Sequence, residues 1–373
     1  MKYILLLVSI FFISCTEEYG KYNNPRHNYT REEKLSLEYV EDIAFELDSS
    51  TINLYTASQY IPNENLYSFM SIDKKILLYD YNRKKMVKEV LLPGLQPSSY
   101  EYINKDSIFV LDYIDNSLTI IDSESKIIDS YRINHTIEYY PFPVTKVSPI
   151  TYLNNSVYIW GNIAGEYVNE SGENRRVLLR YNLDSRGASY FVPYPKIYEN
   201  NWNGTLFRWC YAEYNSNRDI FIISFPADHF LYTYDYKSNA LTSYYGGSQY
   251  IDATLFSLKD KTEFVDSDMR TKHFVESDSY SKIIYDSYHD IYYRFAELQT
   301  LYEGIPGWQK RISIILFTSN FEIIGEKYVG SLPSIYRYAS FVTEKGLHLP
   351  KISANEDMMI FSIFKITNTS DNL

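Results

Sequence analysis

Seven residues combine types and spacings suited to recognition chemistry. Trp202 lies just ahead of Arg208, Trp209 and Tyr211, Trp308 falls within Gly304–Gln309, and Arg337 is followed by Tyr338. Aromatic faces beside guanidinium groups suit a sugar ring or a peptide, because the ring supplies a rigid plane with a polar edge. Two arginines meeting in an acidic protein would favour an anionic ligand. The plain structural reading is that the tryptophans fill gaps between elements and each arginine pairs with a local carboxylate.

Catalytic chemistry has no comparable signature. Gly246-Gly247 lacks the Lys-Ser/Thr continuation of a phosphate loop, and no Gly-x-Ser-x-Gly elbow occurs. The six histidines are scattered without ligand spacing, so neither a metal nor a cofactor is expected. Asp266-Ser267-Asp268 lacks the glycine turn and distal glutamate of a calcium loop. With 47 acidic residues in the chain, no carboxylate pair stands out as an acid–base couple. A net charge of −11 disfavours nucleic acid, whose phosphates need a basic face.

The elements that must position these residues are strands. In 98–133, Ser99–Ile103, Ile108–Tyr113, Leu118–Asp122 and Ile127–Ile133 alternate apolar with polar residues, and Asn, Asp and Ser separate the runs. That is the pattern of an antiparallel meander. It returns along the chain and predicts an all-β, six-bladed β-propeller over 35–373. The last group, Arg337–Thr343, Gly346–Pro350 and Met359–Ile366, has only three strands. Leu37–Leu47 has no group of its own, so it is expected to complete that blade as its outer strand and close the ring. The insertion 246–280 leaves a seventh blade open, and a two-sheet sandwich is the alternative architecture. In a propeller the starts of the inner strands ring the channel mouth, where Trp202, Arg208, Trp209, Tyr211, Arg337 and Tyr338 could meet. Tyrosine, 40 of 373 residues, is read mainly as strand and inter-blade packing.

Residues 1–14 place Lys2 before the apolar run Ile4–Ile13, too short to span a bilayer comfortably, and predict an export signal. Phe12-Ile13-Ser14-Cys15 resembles the lipobox of bacterial lipoproteins. That resemblance implies cleavage before Cys15, a diacylglycerol thioether on it and an amide-linked acyl chain; more than one chain gives stable attachment. Thr16-Glu17-Glu18 resembles the surface-export signal of Bacteroidetes lipoproteins. Residues 15–34 read as the lipidated cysteine and a flexible tether. With Cys15 acylated, Cys210 is left without an intrachain disulfide partner.

The meander motif Asp106–Asp112 with Leu118–Asp122, echoed at Lys75–Tyr81 and Asp219–Ser224, completes a further resemblance. Lipobox, acidic residues, tether and aromatic meanders together resemble a Bacteroidetes lipoprotein family, domain of unknown function 4221. The resemblance implies a propeller in the outer membrane or at the cell surface and carries no catalytic residues. The expected function is a monomeric, lipid-anchored binding or scaffold module for a protein or glycan. The alternatives are an envelope glycan hydrolase or lyase with its site at the channel mouth, and a purely structural lipoprotein.

Overall fold

The computed structural model describes residues 21–48, 51, 55–112, 114–134, 139–140, 148–163, 176–198, 207, 209–255, 266–303, 309–333, 339–351, 353 and 355–369. Six four-stranded antiparallel sheets follow one another around a ring, each a meander from the inner strand outward. Their inner strands are Tyr55–Ile61, Pro97–Asn104, Thr151–Leu153, Tyr211–Asn215, Ser279–Asp286 and Phe341–Thr343, for blades one to six. Leu35–Glu46 lies outside Met358–Asn368 as the fourth strand of blade six, so the two ends of the propeller share one sheet. The expected ring and its closure are therefore both present. Gly325 lies where this closing strand passes blade five. A Cβ there would come within 2.0 Å of the Leu35 carbonyl oxygen.

The second strand of each blade departs from the expected apolar–polar alternation for a direct physical reason. A propeller sheet is covered on both faces by neighbouring blades, so its second strand reads as an unbroken apolar run. In blade two, Ile108 and Val110 join the cluster shared with blade one, while Phe109 and Leu111 join the cluster shared with blade three. Six such apolar clusters occur among the described residues, one at each blade junction. Burying each such side chain contributes roughly 1.5–3 kcal/mol. The outer strand Ile127–Arg132 has a solvated edge and is mostly exposed.

Tyrosine has a specific structural task. In four hairpins a Tyr hydroxyl donates to the side chain of an Asn or Asp five residues on: Tyr60 to Asn65, Tyr214 to Asp219, Tyr234 to Asn239 and Tyr285 to Asp290. Each acceptor occupies the left-handed region, with φ of 53°, 58°, 59° and 55° respectively. Asn and Asp tolerate that conformation best among residues with a Cβ. The hydroxyl thus fastens the strand to the turn that the acceptor makes.

Among the described residues, 246–280 form no seventh blade. Their described part holds Ala253–Leu255 and the helix Ser267–Val275. Asp266 caps that helix, its carboxylate accepting from the N–H groups of Asp268 and Met269 at 2.8 and 3.2 Å.

From Lys21 the expected tether is held against blades four and five. Lys21–Asn23 pairs antiparallel with Ala253–Leu255. The Asn24 amide donates to the Ser248 and Ile251 carbonyls at 2.9 and 2.8 Å and accepts from the Tyr245 hydroxyl at 2.8 Å. Tyr29 stacks on Tyr245 with ring centroids 4.1 Å apart. Arg31 reaches the buried carboxylate of Glu326 at 2.8 Å. The polar composition suggested a solvated spacer, but its amide, carbonyl and guanidinium groups find partners that only the folded propeller assembles.

Candidate functional site

Inner strands line the channel and have one edge without a partner strand, so their backbone groups need other partners. Side chains from the preceding blade supply them. Gln59 of blade one donates to the Tyr102 carbonyl and accepts from the Tyr102 N–H, at 3.1 and 2.9 Å. Glu101 of blade two accepts from Tyr152 N–H at 2.6 Å. Ser148, ahead of blade three's inner strand, bridges the Cys210 carbonyl and Ala212 N–H at 2.8 and 2.7 Å. Glu213 of blade four accepts from the Tyr285 N–H. Lys282 of blade five donates to the Ser340 carbonyl at 2.7 Å. Five of six junctions are thus bridged in one rotational sense.

Three of these groups titrate in an unusual environment. Burial pushes the Glu101 carboxyl up to about 8, against the pull of the Tyr152 N–H. Burial also raises Glu213, opposed by the Lys282 charge and the Tyr285 N–H. Lys282 is pushed down by burial and held up by Glu213. Glu213 and Lys282 lie deep in the protein, yet each keeps part of its surface open to the channel.

A cavity of about 270 Å³ opens beside that pair. Its rim is built from the ends of inner strands and the turns that follow: Tyr60, Tyr214, Tyr285 and Tyr288, with Phe341 beside Tyr60. Phe341 and Tyr60 stack at 5.7 Å, which fixes one wall. The cavity offers an aromatic rim over one carboxyl and one amine, able to accept and donate hydrogen bonds to a polar group. Glu101 does not line it. Among the described residues no group of three or more His, Cys, Asp or Glu side chains could hold a metal ion.

The sequence-predicted site residues fall elsewhere. Trp202, Arg208, Trp308, Arg337, Tyr338 and Cys15 lie outside the described residues. Trp209 is half-buried and precedes blade four's inner strand, which starts at Tyr211, five residues later than the expected Leu206. Tyr211 is fully buried, so its ring is part of the core and offers no surface to a ligand. Both stand at the strand-start end of the channel, whereas the cavity reaches the strand-end turns. The channel groups Gln59, Glu101, Ser148, Glu213 and Lys282 were missed. The signal for three of them is a polar residue directly before a strand tyrosine: Gln59-Tyr60, Glu101-Tyr102 and Glu213-Tyr214.

Comparison with known proteins gives one family and a shared fold. A family model described as a domain of unknown function, DUF4221, matches residues 34–328. A solved DUF4221 member from Bacteroides vulgatus superimposes with a TM-score of 0.74 at 20% identity, covering 91% of this chain and all of that one. A Bacteroides fragilis protein, its export inferred in its name, superimposes at 0.52 with 11% identity, covering 91% and 97% of the two chains. No significant match was found among curated proteins. Among the described residues no helix is long and apolar enough to cross a membrane.

Proposed function

The chain belongs to the DUF4221 family, and from that premise we propose a lipid-anchored binding module of the cell envelope that takes a protruding group of a protein or glycan into its channel. Cys15 carries the anchor, with residues 1–14 removed and the propeller beginning near residue 35. The similar Bacteroides fragilis protein, whose name infers export, is consistent with that compartment. The observation that carries the binding reading is the cavity of about 270 Å³ with tyrosines at its rim and Glu213 and Lys282 below. Tyrosine rings give rigid contact area with little entropy to lose, and the buried acid and amine select a polar group.

The test compares wild type with Tyr288→Ala on a panel of envelope glycans and on envelope proteins captured by crosslinking. Tyr288 is exposed, so the substitution leaves the core intact. A partner retained by wild type and lost by at least about tenfold in the variant supports the reading. Equal retention of every partner by both would overturn it. For the anchor, Cys15→Ala should release the protein from membranes, and retention after an alkaline wash would count against lipidation. A glycan hydrolase or lyase is the second reading, favoured by the raised Glu213 carboxyl, which could serve as a general acid. It requires product release from a glycan that Glu213→Gln abolishes.

A further inference from the structure

We propose that Lys21–Lys34 is an orienting strap that sets the upper face over blades four and five toward a lipid bilayer and turns the cavity mouth away from it. This rests on the reading of Cys15 as the lipid anchor. The two faces follow from the meander. Inner strands begin on the upper face, where each blade's outer strand passes to the next blade, and the turns after the inner strands lie on the lower face.

The strap starts on the upper face. Its strand Lys21–Asn23 pairs with Ala253–Leu255, within the connection from the outer strand of blade four to the inner strand of blade five. It then descends. Lys34 N–H donates to the Ile324 carbonyl at 2.8 Å, at the lower end of blade five's outer strand. Leu35 enters the closing strand there, opposite Asn368.

The docking is built, with polar groups satisfied from both sides. Besides the Asn24, Tyr29 and Arg31 contacts, Arg26 pairs with Asp252 at 2.7 Å and donates to the Gln249 carbonyl at 2.9 Å. The Tyr22 carbonyl accepts from buried His229 at 3.0 Å. Gly247 leaves room for Asn24, since a Cβ there would sit 2.7 Å from the Asn24 side-chain oxygen.

Chain length turns this docking into an orientation. Five residues lie between Cys15 and Lys21, so the six chain steps reach roughly 20 Å when extended. A tether free to Leu35 would reach roughly 70 Å and leave the propeller to tumble. The upper end of the blade four–five junction is therefore held close to the bilayer. The closing strand has 12 residues, a rise of roughly 40 Å, so the lower face stands well clear. The cavity rim, Tyr60, Tyr214, Tyr285 and Tyr288, lies on that lower face, open to partners beyond the membrane surface.

The test uses the full lipidated chain on phosphatidylcholine vesicles with a headgroup-labelled acceptor lipid. Cys15 is acylated on this reading and Cys210 is buried, so one introduced cysteine takes the donor dye. Met269→Cys reports the upper face and Ser287→Cys the lower, and both positions are exposed. Energy transfer is expected to be roughly threefold greater or more from position 269 than from position 287, given the rise between the faces. Adding Asn24→Ala with Arg26→Ala should bring the two signals together while flotation with vesicles persists. Flotation with equal transfer from both positions, or greater transfer from 287, overturns the orientation and leaves the anchor intact. Failure of the wild-type chain to float overturns the anchor and the orientation together.

Discussion

Blade two meets its neighbours through Ile108 and Val110 on one side and Phe109 and Leu111 on the other. Blades four and five also share an apolar cluster, but Arg294 is buried at their junction. Its guanidinium donates to the Ser224 hydroxyl at 3.0 Å and to the carbonyls of Asp228 and Gly246 at 2.7 and 2.9 Å. Longer bonds reach the carbonyls of Phe225, His229 and Phe230, and the group lies 3.8 Å over the Tyr280 ring. Burial lowers its pKa to about 10, still charged at neutral pH. The blade-two junctions are shaped by apolar surface; the four–five junction gathers turn carbonyls around one cation. The difference coincides with the strap. The loops that Arg294 organises, Phe225–Phe230 and Gly246, adjoin the segments to which Tyr22 and Asn24 bind. An apolar seam tolerates small volume changes, whereas a cation holding several acceptors tolerates none.

Three experiments would break or sharpen that contrast, after one that removes the ring common to both. Deleting 35–46 opens the ring, and the largest effect is expected there: loss of the cooperative thermal transition. An unchanged melting temperature would refute closure by this strand.

Arg294→Met comes next. It leaves a cluster of buried carbonyls without their donor and should cost about 3–5 kcal/mol, read as a lowered urea midpoint. Ile108→Val in blade two should cost only about 1 kcal/mol. Comparable losses from the two would erase the distinction between the junctions.

The regions should also respond oppositely to pH. Burial holds His229 at about 4, below its ordinary 6.5, and His348 of blade six behaves alike. The unfolded chain then takes up the proton first. Stability present above pH 6.5 is lost as the pH falls toward 4, at most about 3 kcal/mol for each histidine. Glu101 of blade two is raised from 4.5 to about 8, so its contribution is fully present below pH 4.5 and is lost as the pH rises toward 8. Urea midpoints across this range should show His229→Gln flattening the acid limb and Glu101→Gln the alkaline one. An unaltered profile in either variant would contradict the assignment for that group.

The smallest effect concerns the hairpin clasps. Tyr285→Phe and Tyr60→Phe each remove one hydroxyl donor to a left-handed Asp or Asn and should cost about 1 kcal/mol. A loss of the same size in Tyr79→Phe, whose buried hydroxyl makes no such clasp, would remove the special status of the motif.

Local pattern alone determined the strands, their meander order and the closing role of the strand read as Leu37–Leu47, which the structure places at Leu35–Glu46. Side-chain alternation has period two, and a blade covered on both faces needs an apolar second strand, so Ile108–Leu111 announces itself. Position in the ring was beyond such a reading. Glu213 and Lys282 look like ordinary strand charges until adjacent inner strands place them in one channel, where lost hydration shifts both. Asn24 and Arg31 look like a solvated tether until Ser248, Ile251 and Glu326, more than 200 residues away, supply their partners. Tyr211 has the composition of a contact residue, and only packing put it inside the core. Strand periodicity is a property of neighbours in the chain. Hydrogen-bond satisfaction and desolvation are properties of neighbours in space, and the tertiary structure decided those.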